Sequence, residues 1–250
     1  MSYTTALITG ASSGMGRGLA IALAKRGTKV YAAARRRPEL ESLAKEAPGI
    51  EILELDVADA DHTEAVIREI DQSDPLDLVV ANAGIGIFTP GDRLVWKDAQ
   101  KVLQVNVMGA IATLCAAAPG MVERGRGHLA GVSSLAAFRG LPQNAAYSAS
   151  KAALSMFLES IRLDLAGTGV DVTAICPGFV RTPMTEGLGK LPFIVDLDRA
   201  VDIIVAGLDA KEAVCAFPTV QAFPMRALGL LPPTVYDFVG QRLKRFIPER

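Results

Sequence analysis

Apolar residues recur along this chain in short runs separated by stretches with helical spacing. Residues 6–9 form a compact apolar run, and helical spacing follows over 14–26 and stops at Gly27. A glycine just past the last periodic position is a common helix terminator. Residues 29–34 read as a second strand, 38–46 as a helix, 50–55 as a third strand, 62–72 as a helix and 76–81 as a fourth strand. A long helix over 98–115, a strand over 127–132, a long helix over 145–166 and a strand over 170–175 complete the series. Strands this uniformly apolar need cover on both faces, which a parallel sheet between two helix layers provides. The alternation predicts an α/β fold: a doubly wound, Rossmann-type parallel sheet with helices on both faces.

After Pro177 the pattern breaks. Residues 181–250 are rich in Pro, Phe and Leu and too short for a separate substrate domain. They predict a small C-terminal lobe over the carboxyl ends of the strands, where such sheets bind ligands, so residues 1–250 read as one domain. Met184, Leu188, Phe193, Phe217, Phe223 and Leu230 suit an apolar substrate site, or core and oligomer contacts. Residues 235–247 mix Phe238, Leu243, Phe246 and Ile247 with Arg242, Lys244 and Arg245. That segment reads first as packing on the chain or a partner subunit, and second as a peripheral membrane contact.

Composition narrows the function classes. Half of the 250 residues are apolar and the net charge is −1. No basic face is apparent to neutralise phosphates, so a nucleic-acid partner is not expected. No uninterrupted apolar run reaches the roughly 20 residues of a membrane span, and no secretory leader pattern precedes the first strand. Cys115, Cys176 and Cys215 are widely spaced, form no metal-ligand pattern and read as small buried thiols of a cytoplasmic protein. His62 and His128 stand in no ligand or catalytic pattern and read as structural.

Two motifs carry candidate chemistry. Thr9-Gly10-Ala11-Ser12-Ser13-Gly14-Met15-Gly16 lies between the first strand and first helix. Glycines let the backbone approach a pyrophosphate, and the following helix N-terminus offers unpaired N–H groups. Tyr147 and Lys151 are four apart in a predicted helix and so share a face. An ammonium beside a phenol favours the phenolate and fits the phenol for proton transfer. Ser133 and Ser134 end the fifth strand, and only one of them can face a cleft there.

These residues resemble the short-chain dehydrogenase/reductase family, whose TGxxxGxG and YxxxK motifs fall here at the expected elements over roughly residues 4–185. The resemblance implies an NADP(H)-dependent oxidoreductase that moves a hydride between a nicotinamide and a small-molecule carbonyl or alcohol. It implies catalytic roles for Asn106, Ser134, Tyr147 and Lys151, with Lys151 lowering the Tyr147 pKa and Asn106 interrupting its helix to order a water. Asp56 and Val57 would meet the adenine, although Asp56 and Asp59 compete to cap the next helix. Asn82, Ala83 and Gly84 match the NAG motif beside the adenosine ribose. Pro177, Gly178, Val180 and Thr182 would hold the nicotinamide carboxamide.

Cofactor choice turns on the end of the second strand. An acid there would bind ribose hydroxyls and repel a 2′-phosphate. The chain has Ala34 followed by Arg35, Arg36 and Arg37, so NADP(H) is expected over NAD(H). Arg35 is the first choice for the phosphate, with Arg36 beside it. The resemblance also implies a homodimer or homotetramer paired through the helices at 98–115 and 145–166. A non-catalytic NADP(H)-binding sensor is the alternative, and retention of both Tyr147 and Lys151 argues against it.

Overall fold

Successive residues of the central strands face opposite helix layers. Ala6, Ile8, Leu78 and Val80 point into one apolar layer, and Leu7, Val79 and Ala81 into the other. This period of two, with both sides apolar, makes the runs continuous in sequence. The computed structural model describes residues 3–244. Its strands are β1 (Thr5–Thr9), β2 (Lys29–Ala34), β3 (Ile50–Glu54), β4 (Leu78–Ala81), β5 (Gly127–Val132), β6 (Val170–Pro177) and β7 (Val214–Phe217). They form one parallel sheet in the order β3-β2-β1-β4-β5-β6-β7.

Helices α1 (Gly14–Lys25), α2 (Arg37–Glu46) and α3 (Ala60–Ser73) follow the first three strands. Then come α4 (Trp96–Leu103), α5 (Ala110–Arg124), α6 (Ala145–Asp164), α7 (Leu197–Asp209), α8 (Thr219–Gly229) and α9 (Pro233–Lys244). Helix α1 packs with α2 and α7 over one face; α3, α5 and α6 cover the other. The chain passes from β3 at one edge to β4 beside β1, so the strand order reverses between β1 and β4. A crevice opens at such a reversal, outside the carboxyl ends of the strands.

Three expectations change. The helix expected over 98–115 runs unbroken over Trp96–Arg124, 29 residues, long and apolar enough by length and composition to cross a membrane. It lies against the sheet and α3 as a core helix. A wider π-helical turn at Gln104–Gly109 interrupts the α-helical hydrogen bonding at Asn106, as expected, while α4 and α5 continue each other. The lobe expected over 181–250 is partly sheet: α7 and β7 add a seventh strand–helix unit, with Ile175 and Cys176 of β6 opposite Cys215 and Ala216. Four residues with one exposed position, Val214, made β7 too short to stand out. Cys176 and Cys215 are buried, whereas Cys115 faces outward on α5. The basic C-terminal segment expected over 235–247 includes Arg245, Phe246 and Ile247, which lie outside the described residues.

The amino ends of the strands are tied by His128 of β5, 2% exposed. Its Nδ1 meets the Tyr3 hydroxyl and its Nε2 the Thr173 hydroxyl, both at 2.8 Å. Burial lowers its pKa to about 4. Above the unfolded value of about 6.5 the ring is neutral in both states. Between pH 6.5 and 4 only the unfolded chain takes up the proton, so stability should fall there by about 3 kcal/mol. Urea melts across that range should show this slope, and His128→Gln should flatten it; an equal slope in the variant would refute the assignment.

Candidate active site

The glycine loop is built by close approach. A Cβ on Gly10 (φ +69°) would lie 2.7 Å from Ala83 Cα, and one on Gly16 2.4 Å from Asn82 Nδ2. Only glycine lets the β1–α1 turn sit this close to the end of β4. Asn82 clamps the contact by donating from Nδ2 to Thr9 O at 2.8 Å. The Thr9 hydroxyl accepts from the backbone N–H of Asn82 and Ala83, each at 3.1 Å. Thr9 is a site residue that the sequence reading missed; its place just before the glycines is the available signal.

Ser13 precedes α1 without capping it, and the first turn of α1 holds no acidic residue. Its amides therefore face an electropositive opening suited to a phosphate. Gly14 looks across to Thr182, whose Cγ2 would sit 3.4 Å from an added Cβ. Met15 turns its side chain into the core and leaves only backbone for the cleft. A cradle of bare backbone opposite hydroxyls fits a dinucleotide.

The three arginines separate. Arg36 Nη2 donates to Ser12 Oγ at 2.9 Å and Ser13 Oγ at 2.8 Å, so its guanidinium lies over the glycine loop. Arg35, the first choice from sequence, faces Asp56 at 3.6 Å, and Arg37 pairs with Glu41 at 2.9 Å. Arg36 is the N-cap position of α2 in extended conformation, which sends its side chain back towards β1. The choice between Asp56 and Asp59 is also settled: Asp59 caps α3 by accepting from His62 N at 3.1 Å. Asp56 accepts from Ala58 N at 3.0 Å instead. Val57 is buried against the π-helical turn, where a Cβ on Gly109 would meet Val57 O at 2.3 Å.

The carboxyl end of β5 resolves the two serines. Ser133 Oγ donates to Lys151 O at 2.8 Å and meets Ser155 Oγ at 2.7 Å, so it is spent on α6. Ser134 points the other way: its hydroxyl accepts from Ala136 N at 3.1 Å and lies beside the Tyr147 phenol, where it favours the phenolate. The half-buried Tyr147 and the buried Lys151 share one face of α6, with Nζ 5.7 Å from the phenol ring centre. Lys151 Nζ donates to Val132 O at 2.8 Å. Burial lowers the Lys151 ammonium to about 8.

The expected lowering of the Tyr147 pKa is not what this geometry produces. Burial pushes the phenol above its usual value, and the Ser134 hydroxyl opposes that rise. The ammonium is directed at a backbone carbonyl, not at the phenol oxygen.

Asn106 is fully buried in the π-helical turn. Its amide accepts from Ile85 N at 2.8 Å and donates to Ile85 O and Ser150 Oγ, each at 3.0 Å. Ser150 donates in turn to Tyr147 O at 2.7 Å. Ser150 also escaped the sequence reading, hidden between Tyr147 and Lys151. Gly84 leaves room here: a Cβ would lie 3.3 Å from Lys151 Nζ and 3.4 Å from Asn106 Oδ1.

Pro177 ends β6, and its carbonyl receives Ser134 Oγ at 3.4 Å. Gly178 follows, with Gln221 Oε1 only 2.1 Å from where its Cβ would be. Val180 is buried and bridges Val195, which folds residues 181–194 into a flap beside the cleft. Gln221 Nε2 fastens this flap from α8 by donating to Pro192 O at 2.8 Å. A partly open hollow of about 380 Å³ within the flap itself is lined by Thr182, Thr185, Leu191 and Ile194 among others.

Comparison with known proteins agrees with this geometry. Residues 4–191 match the family model described as short chain dehydrogenase. An uncharacterized oxidoreductase of Myxococcus xanthus (strain DK1622) is 51% identical over 250 residues, covering 98% of this chain and 99% of that protein. An uncharacterized oxidoreductase of Mycobacterium tuberculosis (strain ATCC 25618 / H37Rv) is 34% identical over 240 residues, covering 91% and 93%. A short chain dehydrogenase from Burkholderia cenocepacia J2315, solved in complex with NADP, superposes with a TM-score of 0.81 at 26% identity, covering 94% of this chain and 96% of that one. One from Sphingobium yanoikuyae, solved in complex with NADPH, also gives 0.81 at 26% identity, covering 98% and 96%. The family match over most of the chain, on a seven-stranded sheet with this cleft at its strand reversal, shows that the chain is an oxidoreductase of the short-chain dehydrogenase family.

Proposed function

We propose that this protein is an NADP(H)-dependent oxidoreductase that interconverts a carbonyl and an alcohol on an apolar ketone or secondary alcohol of steroid-, retinoid- or acyl-like character. The observation that carries the reading is the meeting of Ser134, Tyr147 and Lys151 in one cleft beside the glycine loop. When bound, a nicotinamide supplies or accepts the hydride. Gly10, Ser12, Ser13, Gly14, Met15 and Gly16 would hold the pyrophosphate, with Asp56 and Val57 at the adenine. Asn82, Ala83 and Gly84 would line the ribose, and Pro177, Gly178, Val180 and Thr182 the carboxamide.

In this reading Ser134 donates a hydrogen bond to the substrate oxygen and fixes it beside Tyr147. Tyr147 gives that oxygen its phenolic proton in reduction and takes it back in oxidation. Because burial raises the phenol, it carries its proton at neutral pH, the form that reduction needs. Lys151, with its pKa at about 8, remains mostly cationic there and stabilises the phenolate left after donation. Asn106 and Ser150 hold the turn of α6 that carries Tyr147, and the space before Gly84 gives a replacement proton a route past Lys151.

Support for NADP(H) comes from Ala34 at the end of β2 and from Arg36 over Ser12 and Ser13. The relatives from Burkholderia and Sphingobium were solved with NADP and NADPH. A charge-assisted hydrogen bond contributes about 1.5–3 kcal/mol, so Arg36→Ala should raise the KM for NADPH roughly 10–100-fold and leave that for NADH nearly unchanged. Arg35→Ala should have the smaller effect. The test is a ketone and aldehyde screen with NADPH and NADH side by side; an unchanged cofactor ratio in Arg36→Ala would remove the assignment.

A cytoplasmic setting and pairing of copies through the helical stretches 98–115 and 145–166 belong to the same proposal. Met108, Met156 and Leu163 stand 51%, 64% and 64% exposed on the π-helical turn and α6.

A further inference from the structure

Helix α8 is apolar on two sides. Ala222 is buried and Met225 packs against the core. On the opposite side Val220, Phe223, Ala227 and Leu230 follow one another at helical spacing along one stripe. Val220, Phe223 and Leu230 are 53%, 77% and 87% exposed, and Val235 and Phe238 continue the surface on α9 at 46% and 61%. A surface helix normally turns charged and polar residues outward. An apolar stripe there marks a surface with a partner.

Charge indicates which partner. Residues 213–244 carry three basic side chains, Arg226, Arg242 and Lys244, against one acidic, Asp237, in a chain whose total charge is −1. No Asp or Glu occurs between 213 and 236. Arg226 lies over the Phe138 ring at 5.4 Å, and Arg242 over the Phe238 ring at 3.5 Å. Stacked this way, each guanidinium keeps its charge at the edge of apolar surface, as amphipathic side chains do at a lipid interface. Two-fold pairing of this face with its own copy would offer these cations only Asp237 as an acidic counterpart among the described residues of α8 and α9.

The patch also borders the cleft. Helix α8 packs on the Leu135–Ala137 turn that follows Ser134. Arg139 donates to Gly229 O, the Tyr236 hydroxyl donates to Gly140 O, and Gln221 holds the flap at Pro192. We propose that the outer faces of α8 and α9 dock the protein on an anionic lipid bilayer, with the cleft mouth beside the membrane so that a lipid-dissolved ketone can enter. The docking stands on the patch alone; the entry of substrate rests on the function proposed above.

The test uses the full chain, vesicles of phosphatidylcholine with and without phosphatidylserine, and the variant Val220→Ser/Phe238→Ser, at two exposed residues of the patch outside the candidate substrate site. Wild type should sediment with the serine-containing vesicles and release at high salt, and the variant's binding should fall roughly tenfold or more. The variant should keep its melting temperature and its turnover of a short water-soluble ketone, while its turnover of a vesicle-dissolved ketone falls. The proposal is overturned if wild type ignores anionic vesicles, or if the variant binds them equally well. It is also overturned if sizing with light scattering shows that the substitutions instead split an oligomer, which would make a second copy the occupant. Vesicle binding lost in the variant, with no ketone reduced by wild type, would uphold docking and sink the enzymatic reading alone.

Discussion

Tyr147→Phe should lower turnover roughly 10²–10⁴-fold, the usual worth of a positioned general acid, while NADPH binding changes little. The substitution deletes one hydroxyl and keeps the ring that packs on α6. What is lost is the proton donor at the substrate oxygen, beside the Ser134 hydroxyl. Solvent is a poor substitute, because a water there would not be held at the substrate oxygen as the phenol is. Cofactor binding, followed by fluorescence titration, provides the control, since the glycine loop and Arg36 are untouched. Ser134→Ala should cost less, because the phenol remains to donate. If Tyr147→Phe turns over a ketone within tenfold of wild type, proton transfer belongs to another group and the proposed mechanism fails.

Arg124→Met should destabilise the fold by about 3–5 kcal/mol, the range for breaking a buried ion pair by removing one member. Arg124 forks onto Asp71 with bonds of 3.0 and 2.7 Å and also donates to Leu76 O at 3.2 Å. Asp71 is 5% exposed and accepts from Leu76 N at 2.9 Å. The pair joins α3 and α5 to the start of β4. Packing is tight: a Cβ on Gly120 would fall 2.1 Å from Asp71 Oδ2. Without the guanidinium, the carboxylate is left buried with a single donor.

Removing both charges is a different experiment. Arg124→Met/Asp71→Asn leaves no buried ion and keeps an acceptor for Leu76 N, so it should recover more than half of the loss. For a domain of this size the single variant corresponds to a drop of roughly 10 °C in melting temperature. Urea melts of the two singles and the double would measure the coupling. A single-variant cost below about 1 kcal/mol would show that solvent reaches the pair, and would remove it as a determinant of the fold.

Much of this protein is legible in its residues, because the features concerned are local. The period of two along Ala6–Thr9 and Leu78–Ala81, and helical spacing between strands, fix element type within a few residues of chain. The glycines at 10, 14 and 16 announce a tight turn, and Tyr147 and Lys151 share a face wherever their helix sits. Other features depended on what lies across space. Ser133 and Ser134 are alike in sequence; the packing of β5 against α6 decides that one hydroxyl is spent on Lys151 and Ser155 and the other meets Tyr147. Arg35 and Arg36 are neighbours, and the start of α2 sends only the second over the glycine loop. The strand β7 exists because β6 offers it an edge, four residues being too few to declare themselves. The buried Asp71–Arg124 pair spans 53 positions, and the stripe on α8 is a stripe only because the other side of that helix is already covered. Periodicity and short motifs belong to the chain alone. Direction, pairing and exposure are set by neighbours brought together from far along it, so only the folded molecule could decide them.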